Sequence, residues 1–144
     1  MSDSALTHHI IVGVDGSEPS VDALREGATL AEALGVPLEA VITWQYPFEY
    51  MPIPVWSPEE DATSILAAAI TAAFADHPPD TLTTTTAQGP PARTLIELSR
   101  NARMLVLGTR GHGGFVGMLL GSVSSACAEH AHCPVLVVHK PQPA

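Results

Sequence analysis

The feature that most restricts the fold of this chain is its alternation of short β-branched apolar runs with longer helix-forming stretches. His8–Val14 is a continuous apolar run that reads as a buried strand. Ser17 is placed to cap the helix that follows, in which Val21, Leu24, Ala28 and Ala31 share one face. Gly35 ends that helix, and Pro37 leads into a second strand, Leu38–Trp44. A Pro-rich loop from Tyr46 to Pro58 cannot lie inside a sheet. Ser57-Pro58-Glu59-Glu60 has the form of a capping box with Pro at the first helical position. It opens an Ala-rich helix to about Asp76, stopped by His77-Pro78-Pro79.

The second half repeats the pattern. Thr81–Gln88 is a threonine-rich strand whose polarity suits a sheet edge. Pro90 and Pro91 introduce a short helix with the stripe Leu95, Leu98 and Ala102, and Arg103–Leu107 is the fourth strand. A glycine-rich loop, a helix from Ser122 to about His130 and a fifth strand, Pro134–His139, complete the order. Alternation of this kind predicts an α/β fold, a parallel sheet with helices on both faces. Without repeats or linkers, residues 1–144 read as one domain. Ligands of such folds bind beyond the carboxyl ends of the strands. The Asp15 turn, the Pro-rich loop and the glycine loop all follow strands, so all three are expected on one edge.

Charge narrows the ligand. The chain carries a net charge of −9 with six Lys plus Arg. Such a surface repels nucleic-acid phosphate, so a general DNA or RNA partner is not expected. No apolar run approaches the ~20 residues of a membrane span, and the polar segment Met1–His9 lacks a signal-peptide core. A cytoplasmic protein is the expectation. Cys127 and Cys133 form neither a C-x-x-C pair nor a zinc pattern. They read as buried thiols, with a redox pair as the alternative.

The chemistry is concentrated in Gly108-Thr109-Arg110-Gly111-His112-Gly113-Gly114, which leads to Gly121-Ser122. A glycine loop between strand and helix lets backbone N–H groups approach an anion, and the helix N-terminus adds positive potential. Glycines at 108, 111 and 121 are expected to permit positive φ and to leave room for oxygens. This is phosphate-binding chemistry without the P-loop lysine. Arg110 is the cation of the loop.

The spacing Gly108-x2-Gly111-x9-Gly121-Ser122 resembles the nucleotide loop of the universal stress protein family, in its ATP-binding branch. Ile10-Ile-Val-Gly-Val-Asp15-Gly-Ser17 is similar to that family's first strand and acidic turn. Leu119-Leu-Gly-Ser-Val-Ser-Ser125 and Cys133-Pro-Val-Leu-Val-Val138 resemble its closing segments, so the resemblance covers nearly the whole chain. Trp44 and the Pro-rich stretch resemble actinobacterial members. One departure is Arg103, where many members carry an acidic residue.

The resemblance implies a doubly wound sheet in the order 3-2-1-4-5, ATP (with Mg²⁺) across its carboxyl edge, and a homodimer through Val135, Leu136, Val137 and Val138. It implies that Asp15 meets the ribose or adenine, and that Gly13 and Val14 line the adenine pocket with Thr43 near the base. Leu107 and Gly108 would flank the ribose, and Gly111, His112 and Gly113 would wrap the phosphates, with Thr109, Arg110 and Gly114 as further nucleotide-binding residues of the loop. Gly121, Ser122, Val123 and Ser124 would supply amides and hydroxyls to the phosphate end.

Other residues carry more than one reading. His112 is a phosphate neighbour, an aid to phosphate hydrolysis or an exposed side chain, whereas His130 and His132 suit a helix C-terminus. Trp44, Tyr46, Phe48, Tyr50 and Trp56 form a packed loop, a lid over the base or a partner surface. The functional expectation is an ATP-binding regulatory module without an assigned catalytic residue or metal ligand. A slow ATPase and a nucleotide-independent interaction dimer are the alternatives. The residues leave ATP, ADP, AMP and a cyclic nucleotide open.

Overall fold

The computed structural model describes residues 9–46, 57–109 and 120–139. Its strands are β1 (His9–Gly13), β2 (Leu38–Trp44), β3 (Thr83–Gln88), β4 (Ala102–Gly108) and β5 (Val135–Val138). Its helices are α1 (Glu18–Leu34), α2 (Pro58–Phe74), α3 (Pro91–Leu98) and α4 (Ser122–His130), with a 3₁₀ turn at Ser99–Asn101. The strands make one five-stranded sheet in the order β3-β2-β1-β4-β5. Every neighbouring pair is parallel.

Strand alternation divides the core in two. Ile10, Val12, Ala40, Ile42 and Val106 point to one face and pack with Ala23, Leu24 and Ala31 of α1 and Ala62, Leu66 and Ala69 of α2. Ile11, Val41, Leu105 and Leu107 point to the other, with Leu95 of α3 and Cys127 of α4. A strand covered on both faces must be apolar throughout, and Ile10, Ile11 and Val12 of central β1 are at most 1% exposed. The edges differ: β3 is threonine-rich and half exposed, and β5 is intermediate along its length.

Several boundaries depart from the sequence expectation. Val14 lies beyond β1, although its N–H still donates to Val41 O (2.8 Å). β3 begins at Thr83 rather than Thr81, and α2 ends at Phe74 rather than Asp76. Ala102 does not extend the stripe of α3: the 3₁₀ turn intervenes and Ala102 starts β4. Gly35 closes α1 in the left-handed conformation (φ 69°), as expected of a helix-ending glycine. Ser57 Oγ accepts the Glu60 N–H at the start of α2 (3.3 Å). Arg103 is exposed, so the departure there stays on the surface.

Candidate functional site

Because all strands are parallel, the ends of β1, β2 and β4 converge on one edge. The Asp15 turn leaves β1 there. Gly16 sits at φ +85°, and a Cβ on it would lie 2.7 Å from Ile65 Cγ2 of α2. Both the backbone and the packing therefore demand glycine. Ser17 does not cap α1 with its side chain, contrary to expectation. Its N–H donates to Asp15 Oδ1 at 2.9 Å and its hydroxyl donates to the same oxygen. The physical reason is Pro19, which has no N–H to be capped, together with Ser20, whose N–H is taken by Ser17 O (3.1 Å). Asp15 is exposed, and Oδ2 has no partner among the described residues.

β4 reaches the same edge and abuts the first turn of α1. A Cβ on Gly108 would lie 2.6 Å from Pro19 Cβ, 2.7 Å from its carbonyl carbon and 2.8 Å from its oxygen. Positive φ is not what Gly108 provides: the positive-φ glycines described are Gly16, Gly35 and Gly89, and Gly121 has φ −77°. The need for glycine at 108 is close approach of two backbones.

Thr109 is buried and tied on both sides. Its N–H donates to Val138 O of β5 (3.1 Å), and its carbonyl accepts the Gly121 N–H (2.7 Å) and the Ser124 hydroxyl (2.9 Å). Ser124 Oγ also accepts from Gly121 N–H (3.1 Å). The single hydroxyl proton of Ser124 is thereby engaged on Thr109. Ser122 is different. It is exposed at the first position of α4, and no side chain caps that helix. The first-turn amides of α4 are thus donors of the kind that bind an anion. The expected loop residues Arg110, Gly111, His112, Gly113 and Gly114 lie outside the described residues, as do Phe48, Tyr50 and Trp56.

The remaining expected residues line the same edge in part. Gly13 faces the α3–α4 side, where an added Cβ would meet Leu107 Cδ2 at 2.6 Å and Leu95 Cδ1 at 3.1 Å. Thr43 is half buried, two residues beyond Val41, and so shares that face. Val123 packs against the same apolar cluster. Val14 turns its side chain to the α1–α2 core instead. Trp44 stands edge-on to Tyr46 (centroids 5.7 Å, 82°), and its buried indole N–H has no partner among the described residues.

Away from this edge the polar groups are structural. Burial pushes the Cys127 thiol up to about 11, with Cys133 a smaller influence, and burial also raises Cys133. Both are therefore protonated at neutral pH and poor nucleophiles; Cys127 is buried as expected, whereas Cys133 is only half-buried. The His132 N–H donates to Ser99 Oγ (2.9 Å). His130 lies beside Glu129 (3.4 Å) on the surface. Among the described residues no group of three or more His, Cys, Asp or Glu could hold a metal ion. None of their helices is long and apolar enough to cross a membrane.

Sequence reasoning missed Ser17, Pro19 and Ser20 as builders of this site. The available signal was Pro at the second helical position behind Ser17, which frees that hydroxyl from capping.

The sequence profile of the Universal stress protein family matches residues 7–139. This chain belongs to the universal stress protein family. A universal stress protein of Mycolicibacterium smegmatis is 37% identical over 131 residues, covering 90% of this chain and 45% of that one. One from Mycobacterium tuberculosis is 36% identical over 153 residues, covering 96% and 50%. The chain thus spans about half the length of these curated relatives. Among solved structures, a universal stress protein in complex with cAMP superposes with a TM-score of 0.73 at 25% identity, covering 94% of this chain and 99% of that one. The universal stress protein of Archaeoglobus fulgidus in complex with dAMP gives 0.61 at 21%, covering 92% and 98%, a likeness of fold.

Proposed function

We propose that this universal stress protein domain binds an adenine nucleotide, ATP with Mg²⁺ in the first instance, and acts as a nucleotide-dependent regulatory module. The observation that carries the reading is the pairing of two complementary ends on one sheet edge. At one end Asp15 offers a carboxylate oxygen free for donors such as ribose hydroxyls or the adenine amine. At the other, α4 offers uncapped first-turn amides and the exposed Ser122 hydroxyl to phosphate. In this reading Gly13, Thr43 and Leu107, on the α3–α4 face of the sheet, form the wall for the base and sugar. The cAMP complex of a relative at 25% identity supports the ligand class. In this reading Arg110, Gly111, His112, Gly113 and Gly114 complete the phosphate wrap. In this reading the chain homodimerises through β5, which has no further strand beside it among the described residues, and it acts as a regulatory protein in the cytoplasm.

Calorimetric titration of the purified chain tests this. Stoichiometric ATP binding that strengthens with Mg²⁺ is expected. Tighter binding of cAMP or AMP than of ATP would shift the ligand to a monophosphate. Absence of binding to all three would refute the nucleotide reading.

A further inference from the structure

We propose that Ser17 is a positioning residue for the ligand: it locks one oxygen of Asp15 so that the other alone is presented. The inference rests on the nucleotide reading above. Ser17 is 9% exposed. Its N–H reaches Asp15 Oδ1 at 2.9 Å, and its hydroxyl bonds the same atom. The hydroxyl is spared from its usual task at a helix start. Pro19 carries no N–H, and the Ser20 N–H is satisfied by Ser17 O at 3.1 Å. Ser20 Oγ adds a second brace, donating to Ser17 O (2.8 Å) and accepting the Asp15 N–H (3.4 Å). Gly108 keys into Pro19 of the same turn. One turn of α1 therefore fixes Asp15 and the end of β4 relative to each other.

The consequence is chemical. A carboxylate is an acceptor only. With Oδ1 occupied twice, Oδ2 is the one acceptor offered, in a fixed direction. It selects a ligand that brings a donor, a sugar hydroxyl or an exocyclic amine, and rejects one that brings a carbonyl oxygen. Loss of the hydroxyl leaves the carboxylate charged but held at Oδ1 by the Ser17 N–H alone, and restraining it fully on binding then costs affinity.

The test is a double-mutant cycle on the intact chain, with ATP, AMP and adenosine as probes. Ser17→Gly removes the hydroxyl while keeping the backbone N–H, and Gly is a tolerated helix cap, so folding is preserved. Ser17→Gly is expected to weaken all three ligands by about fivefold, since the lock acts on the part they share. In an Asp15→Ala background it is expected to weaken them no further. An equal loss in both backgrounds would mark a general structural effect and overturn the inference. So would unchanged affinity of Ser17→Gly, or of Asp15→Ala, while nucleotide binding itself would stand. Wild-type protein that binds none of the probes would overturn both readings.

Discussion

At the scale of single residues, glycine positions have separate physical reasons that the sequence shows as one motif. Gly16 needs its positive φ, whereas Gly108 needs the absence of a Cβ against the Pro19 backbone. The prediction is that Gly108→Ala lowers stability by about 1–3 kcal/mol through overpacking, because the obstructing atoms are main chain and cannot rotate aside. A urea unfolding series measures it, and a midpoint equal to wild type would contradict the contact. That contact explains part of what the sequence left illegible. The motif spacing put Gly108 at the end of a strand and Gly121-Ser122 at the start of a helix, where β4 ends and α4 begins. It could not tell a residue that touches a ligand from one that holds the loop together. Ser124 reads as a phosphate donor in the sequence, yet its proton is engaged on the Thr109 carbonyl. Ser17 reads as a cap, yet it bonds Asp15. Hydroxyls are short and bond whatever the tertiary structure brings near, and spacing does not encode that choice.

At the scale of elements, apolar periodicity was decisive where burial is strong. β1, β2 and β4 were legible because both faces are covered and their central positions are apolar. The ends of β3 and α2 were not, since exposed threonines and alanines fit more than one state. A cross-strand polar chain was also hidden. On the α3–α4 face, His9 Nε2 meets Glu39 Oε1 at 2.7 Å, and the Thr85 hydroxyl donates to Glu39 Oε2 at 2.6 Å. The His9 contact, and then Thr85, hold the Glu39 carboxyl below its ordinary value of 4.5 against the opposing effect of burial. A carboxyl lowered on folding stabilises the native state above that ordinary value, and the contribution disappears as pH falls through its native value. Glu39→Gln is therefore expected to cost about 1 kcal/mol at pH 7 and less in acid. Urea midpoints for both proteins across the acid range would show the gap closing; a gap constant with pH would contradict the account.

At the scale of the whole molecule, the parallel order 3-2-1-4-5 gathers the candidate site residues that are described. Alternation of elements in the sequence already placed the Asp15 turn and the glycine loop on one edge, and the sheet bears this out for the described residues. Thr109 adds a connection the sequence did not show, bonding β5 through Val138 and α4 through Gly121 and Ser124. The ligand edge and the outer strand therefore share one peptide. The central claim is that an adenine nucleotide spans this edge from Asp15 to Ser122, and amide chemical-shift mapping during titration with ATP and Mg²⁺ tests it most directly. The account predicts the largest shifts at Val14–Ser17, Thr43, Gly108–Thr109 and Gly121–Ser124, with β3 and the His9–Glu39 end unmoved. Shifts clustered at that opposite end, or none at saturating nucleotide, would contradict it.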